Sequence, residues 1–283
     1  MNSLARIEPV DYLLIGHVTQ DITPSGLKLG GTASYAALTA QAFGKKVGIV
    51  TACRPDLALP ELDGIAVVRK SSLRTSTFEN INTPNGRVQH IHAVAEKITV
   101  ADIPAAWLNS PIVHLGPVAA ELDPALAKAF PGSLLGITPQ GWLRGWDETG
   151  HVFFTDWPEA MSVLSHARIV VLSLEDVRGS EDVIQEYAGE VPVLVVTEGA
   201  NGARVYWNGD VRTFRPPNEE EVDPVGAGDI FAASFFIRYH DTRDPWESAR
   251  LATQIAARSV TRRSLAGVPT PAEVQLSLTE LIQ

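Results

Sequence analysis

The segment that runs from 221 to 236 combines an acid, two glycines and a small-residue helix in a spacing suited to phosphoryl transfer. A proline and the two glycines break regular structure, and the apolar run behind them favours a helix that begins there. The first N–H groups of such a helix lack intrahelical partners and its dipole is positive, so Gly226, Ala227 and Gly228 can bind an anion. Asp229, in the first turn, is predicted to be ionised and to accept a proton from a hydroxyl.

An anion site beside a carboxylate base is what phosphoryl transfer to an alcohol requires. A glycine turn that merely starts a helix is the alternative. Two other phosphate motifs do not match. No Lys-Ser or Lys-Thr follows the glycines, as a Walker A loop requires, and Phe231 stands where a dinucleotide fingerprint has its third glycine.

The nine residues Asp223-Pro224-Val225-Gly226-Ala227-Gly228-Asp229-Ile230-Phe231 resemble the C-terminal signature of the PfkB, or ribokinase-like, carbohydrate kinases. The usual form of that signature is Asp-Thr-x-Gly-Ala-Gly-Asp-x-Phe, and Pro224 replaces the usual Thr. In that family the last Asp is the catalytic base and the Gly-Ala-Gly amides form the anion hole. The resemblance implies these roles for Asp229 and for the Gly226–Ala227–Gly228 amides, and it places Asp223 on the cofactor side.

A second polar cluster follows the first predicted strand, where Asp21 is followed by Gly30-Gly31 ahead of a helix. A carboxylate can accept hydrogen bonds from two neighbouring hydroxyls, and paired glycines let a small polar ligand touch the backbone, so the cluster suits a polyol. An ordinary turn acid and a plain loop are the alternative. PfkB kinases carry an N-terminal signature of this kind, which implies that Asp21, Gly30 and Gly31 bind the sugar. Tyr35 stands where many members have Asn, and it could stack on or hydrogen-bond a different substrate.

Residues 71–99 differ from their surroundings. Asn85-Gly86 is a strong hairpin signal, and the segment is too polar for a central parallel strand, so we predict a hairpin outside the main sheet. In ribokinase-like proteins a small β lid covers the sugar and often makes a dimer contact. The resemblance implies such a lid, built mainly from about residues 71–99 and about 17–29, whose closure would exclude water. An exposed hairpin without a function is the alternative.

Further candidates follow two later strands. Gln140 and Arg144 stand where the family commonly has Asp-x-Asn-x-x-Arg, so the resemblance implies that they reach substrate or phosphate. Glu175 lies where the family often has Asn-x-x-Glu, whose Glu helps organise magnesium and its waters. An acid that merely starts a helix is the alternative for Glu175.

Thr197-Glu198-Gly199-Ala200-Asn201-Gly202 ends a buried strand in a glycine turn and resembles the nucleotide segment of the family, Thr-x-Gly-x-x-Gly. The resemblance implies that Thr197, Gly199 and Gly202 line the ATP side. A hairpin that continues into residues 204–207 is compatible with this role. Gln254, on the penultimate predicted helix, is assigned to the adenine pocket.

Short apolar, β-branched runs alternate with helical patterns along the chain. The predicted strands are 12–16, 47–52, 112–115, 134–137, 169–174 and 191–197. The predicted helices are 33–43, 124–130, 181–188, 230–239, 245–261 and 271–282. This alternation indicates a mostly parallel sheet with helices on both faces, and such sheets bind ligands at the carboxyl ends of their strands. With the resemblance, the expected fold is α/β: a three-layer α/β/α ribokinase-like domain over residues 1–283 with a small β lid.

The composition excludes several classes of protein. The 283 residues are 45% hydrophobic and 20% charged, as in ordinary globular proteins. The formal charge of −10 argues against a nucleic-acid partner, which requires a basic face. Cys53 is the only cysteine, so no disulfide framework forms within one chain. No apolar run approaches the ~18 residues of a membrane span, and the predicted location is the cytoplasm.

These features predict a kinase that uses ATP and Mg²⁺ to phosphorylate a hydroxyl of a sugar or cyclic polyol. The pattern His17-x-x-x-Asp21 with Gly30-Gly31-Thr32-Ala33 is similar to that of inositol kinases within the family. One alternative is a nucleoside kinase of the same family, in which Tyr35 or Phe78 would form an aromatic stacking wall. Another is a non-catalytic sugar-binding member, although a pure binder has no use for the base Asp229. A homodimer through the lid is the predicted assembly.

Overall fold

The computed structural model of the protein describes residues 7–83 and 86–280. Within these ranges the chain forms fifteen strands and six α-helices. The strands are β1 (Tyr12–Ile15), β2 (Thr19–Thr23), β3 (Gly26–Gly30), β4 (Val47–Cys53), β5 (Ala66–Ser71), β6 (Ser76–Thr83), β7 (Gly86–Ala93), β8 (Ile112–Leu115), β9 (Leu134–Ile137), β10 (Arg144–Trp146), β11 (Val152–Phe154), β12 (Ile169–Ser173), β13 (Val193–Thr197), β14 (Ala203–Trp207) and β15 (Asp210–Phe214). The helices are α1 (Thr32–Ala42), α2 (Ala160–Leu164), α3 (Glu181–Glu190), α4 (Ala227–Thr242), α5 (Pro245–Ser259) and α6 (Pro271–Glu280).

Nine strands form the main sheet, in the order β15-β14-β13-β12-β9-β8-β1-β4-β5. The pairs from β13 to β5 are parallel, whereas β14 and β15 are antiparallel additions at one edge. The mostly parallel sheet that the sequence predicts is therefore confirmed. All six predicted strands are present in it, and their carboxyl ends lie along one edge of the sheet.

Helices cover both faces of this sheet. In β1, Leu13 and Ile15 belong to one apolar core, and Tyr12 and Leu14 belong to another. Because successive side chains of a strand point to opposite faces, each face has its own core. Residues of α2 and α3 join the first core, and residues of α1, α4 and α5 join the second. The three-layer α/β/α architecture is therefore confirmed.

The sequence-based element assignment differs from the structure in a few places. The segment predicted as a helix over 124–130 forms a short 3₁₀ helix, Pro124–Lys128, in which Pro124 occupies the first turn. Strand β5 was not predicted, because Arg69 and Lys70 interrupt its apolar pattern. It lies at the outer edge of the sheet, where one side is not hydrogen-bonded to another strand and a polar sequence is tolerated.

A separate four-stranded sheet has the order β3-β2-β6-β7 and contains the segments for which the sequence predicts a lid. Strands β6 and β7 are antiparallel, with Thr83 paired to Gly86. Of the predicted Asn85-Gly86 turn, Asn85 lies outside the described residues. We call this second sheet the lid sheet.

His17 fastens the lid sheet to the main sheet. This buried residue follows β1, and its Nδ1 accepts a hydrogen bond from the Ser76 hydroxyl at 2.7 Å. Its Nε2 donates to the carbonyl oxygen of Glu96 at 2.9 Å, and the Ala95 N–H donates to Ser76 Oγ at 3.0 Å. A carbonyl can only accept, so these contacts require the Nε2–H tautomer. The His17 side chain thus links the end of β1 to the beginning of β6 and to the segment that follows β7.

Candidate active site

Residues of both sheets and of α1, α4 and α5 line one cleft of about 640 Å³. One side of it, the polar wall, consists mainly of hydrogen-bonding side chains. Its members are Thr19, Asp21, Phe78, Asn80, Gln89, Gln140 and Arg144. The other side, the small-residue wall, is built mostly from glycine, alanine and proline. Its members are Thr197, Gly199, Ala200, Gly202, Pro216, Pro217, Asn218, Glu219, Glu221, Thr253, Ala256, Ala257 and Val260.

Asp229 lies in the cleft in the first turn of α4. Its removal from water raises the pKa of this carboxyl to about 6, and the negative charges of Asp176 and Asp21 add to the rise. The hydroxyl of Thr32, which donates to the carboxylate, and the charge of Arg144 oppose it. The carboxylate is therefore mostly ionised at neutral pH, with a proton affinity higher than that of an exposed acid. This combination suits a general base.

The loop ahead of α4 has the backbone that its glycines allow. Gly226 caps the helix with φ of 83°, a conformation that favours glycine. A Cβ at Gly226 would lie 2.3 Å from the ring of Tyr35, so this ring packs directly beneath the loop. A Cβ at Gly228 would meet nothing within 4 Å. Gly228 therefore faces open space in the cleft, where an anion has room.

The amides that are available differ from the predicted set. The Ala227 N–H donates to the Pro224 carbonyl at 3.2 Å, so it closes the turn. The N–H groups of Gly226, Gly228 and Asp229 have no hydrogen-bond acceptor within the described residues. The first-turn amides of Gly228 and Asp229 lie at the positive end of the helix dipole, where a phosphate is stabilised.

Asp21 and Gly31 occupy the polar side of the cleft, as neighbours of Thr19. Gly31 caps α1 with φ of 82°. Gly30 does not line the cleft. A Cβ at Gly30 would lie 2.2 Å from Asp21 Oδ2, so the predicted ligand contact is replaced by a packing role in which Gly30 makes room for the Asp21 carboxylate.

Gln140 and Arg144 both line the cleft, from the short helix after β9 and from the start of β10. The Gln140 amide donates to Asp176 Oδ1 at 3.1 Å, and the Ser173 N–H donates to Asp176 Oδ2 at 2.8 Å. Asp176 therefore orients Gln140, a role that the sequence did not reveal. Glu175, the neighbouring acid and predicted metal residue, is exposed and lines the cleft.

The glycine turn after β13 forms part of the small-residue wall. Thr197, Gly199 and Gly202 all line the cleft. Gly202 has φ of 95°, and a Cβ there would lie 1.9 Å from the carbonyl oxygen of Phe214. The turn therefore lets the chain pass directly against β15 while its backbone faces the cleft.

Two predicted cofactor residues do not line the cleft. The Asp223 carboxylate accepts from the Val225 N–H at 3.0 Å and from the Ser264 N–H at 2.8 Å, so it shapes the loop ahead of α4. Gln254 is not among the residues that line the cleft, whereas its neighbour Thr253 is. Adjacent residues of a helix are rotated by about 100°, so these two side chains lie on different faces of α5. The Thr253 hydroxyl is buried and has no partner within the described residues.

The cleft is rich in carboxylates. Its lining includes one guanidinium, that of Arg144, and five acids: Asp21, Glu175, Glu219, Glu221 and Asp229. No group of three or more His, Cys, Asp or Glu side chains is arranged to hold a metal among the described residues. Mg²⁺ is usually held by one or two carboxylates together with substrate phosphates and waters. The acids of this cleft, Glu175 among them, fit that mode of binding.

The side chains of His90, His92 and His114 do not line the cleft and make contacts within the protein. His114 is fully buried, and its Nδ1 and Nε2 contact the hydroxyls of Tyr12 at 2.8 Å and Thr138 at 2.9 Å. Burial lowers the pKa of His114 to about 3, so the ring is neutral. His92 contacts Glu79 at 2.9 Å, and the His90 ring packs edge-on against His151. None of the helices that the structure describes has the length and apolarity to cross a membrane.

Comparison with known proteins shows a family match in the C-terminal half of the chain and a shared fold. Residues 156–272, which contain the glycine turn and the loop ahead of α4, match the model of the pfkB family of carbohydrate kinases. The chain is 28% identical to cytidine kinase of Thermococcus kodakarensis over 90% of its own length and 97% of that protein. Its fold is similar to that of a pyrophosphate-dependent kinase in the ribokinase family, solved with a pyrophosphate analog and myo-inositol. That likeness has a TM-score of 0.73 at 21% identity and covers 95% of this chain and 99% of the other.

A second solved structure, fructokinase with bound ATP from Xylella fastidiosa, has a TM-score of 0.76 at 17% identity. The likeness covers 96% of this chain and 99% of that one. Such similarity shows the ribokinase-like fold, and the family match adds the motif that surrounds Asp229. The relatives are phosphotransferases with hydroxyl acceptors. The resemblance that the sequence motifs predict is therefore confirmed: residues 156–272 match the pfkB family model, and the fold of the chain is ribokinase-like.

Proposed function

We propose that this protein is a kinase that transfers the γ-phosphoryl group of ATP to a hydroxyl of a sugar or cyclic polyol. The observation that carries the proposal is the position of Asp229. It is a carboxylate with a raised pKa, beside first-turn amides without partners, in the cleft that also holds Asp21. The two requirements of phosphoryl transfer to an alcohol, a proton acceptor and an anion site, thus occupy neighbouring positions.

The reaction uses these groups in a simple sequence. Asp21 binds hydroxyls of the alcohol substrate and holds the reacting one near Asp229. The Asp229 carboxylate accepts the proton of that hydroxyl while the hydroxyl oxygen bonds to the γ-phosphorus. The bond between the γ-phosphorus and the leaving ADP breaks. The amides of Gly228 and Asp229 hydrogen-bond the phosphoryl oxygens, and Arg144 supplies a positive charge on the polar wall.

Magnesium completes the charge balance in this proposal. Five carboxylates line the cleft against one guanidinium, so bound phosphates need a further cation. When it is bound, Mg²⁺ neutralises charge on the phosphoryl oxygens. Glu175 is the residue of this chain that would help to hold the ion.

The shape of the small-residue wall favours a nucleotide over pyrophosphate as the phosphoryl donor. Pro216, Pro217, Ala256, Ala257 and Val260 give this wall an apolar surface of the kind that a flat base requires. Neither lysine nor arginine is among its lining residues, and it carries Glu219 and Glu221. Pyrophosphate would lie against these acids, and it has no nucleobase to bury on the apolar surface.

The same reasoning favours a polyol over a nucleoside as the alcohol substrate. A nucleoside requires an aromatic face on which its base can stack. Tyr35 is 2% exposed and packs under Gly226, and Phe78 is 4% exposed and packs with Ile91 and Val118. Both aromatic candidates are thus occupied within the protein, whereas polar groups line the rest of that wall. Cytidine remains the second candidate because of the similarity to cytidine kinase.

The test is ADP release in the presence of Mg²⁺ and ATP over a panel of sugars, cyclitols and nucleosides. We expect turnover with at least one sugar or cyclitol and none after EDTA treatment. A parallel arm replaces ATP by pyrophosphate and measures the phosphorylated product. Turnover with nucleosides alone would overturn the choice of substrate, and turnover with pyrophosphate alone would overturn the choice of donor. Tight sugar binding without turnover under any condition would identify a non-catalytic member.

We also propose a homodimer that forms through the outer face of the lid sheet. Leu27 and Ile81 are large apolar residues of this sheet, with 58% and 41% of their surface exposed. Such surface is commonly buried in an interface. Light scattering should give a dimer for the unaltered protein and a monomer for Leu27→Glu with Ile81→Glu. A monomer for both proteins would contradict the assembly.

A further inference from the structure

Two amide side chains of the lid sheet face the cleft as a bonded pair. Asn80 of β6 and Gln89 of β7 are directly opposite each other in the antiparallel ladder. Both line the cleft, and the Gln89 Nε2 donates a hydrogen bond to the Asn80 Oδ1 at 2.9 Å. Residues opposite each other in a ladder share a face, so the pair forms one polar unit on the polar wall.

The bond between the amides fixes which atoms remain for a ligand. Asn80 has used its oxygen, and its Nδ2 keeps two N–H donors. Gln89 has used one N–H, and its Oε1 keeps its lone pairs. Within the described residues neither Asn80 Nδ2 nor Gln89 Oε1 has a hydrogen-bond partner. The pair therefore presents one donor and one acceptor side by side.

Two neighbouring hydroxyls complement this arrangement. One hydroxyl oxygen accepts from Asn80 Nδ2, and the adjacent O–H donates to Gln89 Oε1. Asp21 lies beside Phe78 in the parallel pairing of β2 with β6, so the lid sheet offers a carboxylate on the strand next to the amides. Hydrogen-bonding groups thus follow one another across three strands, which suits a ring that carries hydroxyls along its edge.

We propose that Asn80 and Gln89 determine substrate specificity by binding a vicinal diol of the alcohol substrate, at hydroxyls other than the one that is phosphorylated. This inference rests on the proposed kinase function and narrows its substrate class to cyclic polyols with contiguous free hydroxyls. An amide that substrate binding removes from water without a partner hydroxyl costs about 1–3 kcal/mol, or roughly tenfold to a hundredfold in kcat/KM.

The test compares each variant on matched substrates. The first variant is Asn80→Asp, which keeps the bond from Gln89 and removes the two Nδ2 donors. The second is Gln89→Met, which removes the free acceptor with little change in shape. Both are assayed with myo-inositol, with its singly deoxygenated analogues and with a pyranose that retains a vicinal diol. Gln20→Leu is the control, because Gln20 precedes Asp21 on β2 and does not line the cleft.

In the unaltered protein we expect removal of one particular hydroxyl to lower kcat/KM by about tenfold to a hundredfold. Removal of the same substrate hydroxyl should have little effect in Asn80→Asp or in Gln89→Met, because the amide group that binds this hydroxyl is already absent. The KM for ATP should be unchanged in both variants and in Gln20→Leu. Thermal melts of the variants show whether the lid sheet remains folded.

Several outcomes would separate this inference from the proposed function. Equal sensitivity to every deoxygenation in the unaltered protein and in both variants would overturn the inference while leaving the kinase function intact. Preference of the unaltered protein for a nucleoside over all cyclitols and sugars would also overturn it. Absence of turnover with every alcohol would instead overturn the proposed function.

Discussion

The two walls of the cleft offer a ligand different kinds of contact. The polar wall presents side chains that hydrogen-bond, such as Asp21, Asn80 and Gln140, and several of them are held by a second residue. The small-residue wall presents backbone and apolar surface from the glycine turn and from α5. In the proposed reaction, specificity for the alcohol therefore depends on individual side chains, and binding of the donor depends on shape and on backbone that few substitutions can change.

The walls meet at the beginning of α4, so a change there should impair catalysis whichever substrate is varied. We expect Asp229→Asn to lower kcat by about 10²- to 10⁴-fold, because the proton acceptor is lost while the shape is kept. Binding of ATP, measured by calorimetry, should remain nearly unchanged. Normal turnover by this variant would show that the base is another group.

Gly228→Ala tests the anion site on the donor side of that junction. The added methyl meets no protein atom within 4 Å, so the fold should be unaffected, and a helical Ala is favoured over Gly by about 0.5–1 kcal/mol. The methyl would nonetheless occupy the space for a phosphoryl group, and loss of such stabilisation typically costs about 10²-fold in kcat.

The matched control for Gly228→Ala is Gly189→Ala in α3, where the new methyl likewise has nothing within 4 Å. Both variants should melt at or above the temperature of the unaltered protein, and only Gly228→Ala should lose activity. Full activity of Gly228→Ala would show that no phosphoryl group binds at this position.

Asp21→Ala should affect the polar wall alone. Hydrogen bonds to a charged group contribute about 1.5–3 kcal/mol, so we expect the KM for the alcohol to rise about tenfold to a hundredfold. Steady-state kinetics with each substrate varied in turn should give an unchanged KM for ATP. A rise confined to the KM for ATP would reverse the assignment of the two walls.

The smallest expected effect is a shift in pH dependence. Asp229 must be ionised to accept a proton, so kcat/KM should fall as the pH decreases through about 6. The Thr32 hydroxyl lowers this pKa by donating to the carboxylate. Thr32→Val should therefore move the acidic limb of the profile to higher pH, and Thr32→Ser should restore it. An unchanged limb in Thr32→Val would show that another group controls it.

The sequence indicates the first turn of α4 more directly than it indicates the arrangement of the cleft walls. The first turn of α4 was predictable because glycine, alanine and aspartate there each have a local physical reason. The hydrogen-bond partner of Asp229 was not predictable, because Thr32 comes from a helix almost two hundred residues earlier in the chain. Only the packing of α1 beside α4 brings that hydroxyl to the carboxylate.

At the edges of the site, side-chain direction places some residues differently from the sequence-based expectation. Gly30 and Asp223 have the residue types of a binding site, yet the first makes room for Asp21 and the second holds backbone amides. Gln254 differs from Thr253 by a single helical step. Asn80 and Gln89 become a pair only through the register of β6 and β7, which the hairpin signal indicates but does not determine.

The outer strands of the nine-stranded sheet have a consequence for how copies of the protein can meet. Strand β5 carries Arg69 and Lys70, and the largely exposed β15 carries Asp210 and Arg212. Charged residues on a free edge hinder its pairing with a strand of another molecule. Edge-to-edge polymerisation of the main sheet is thereby opposed at both ends, even though each end still has unpaired backbone groups.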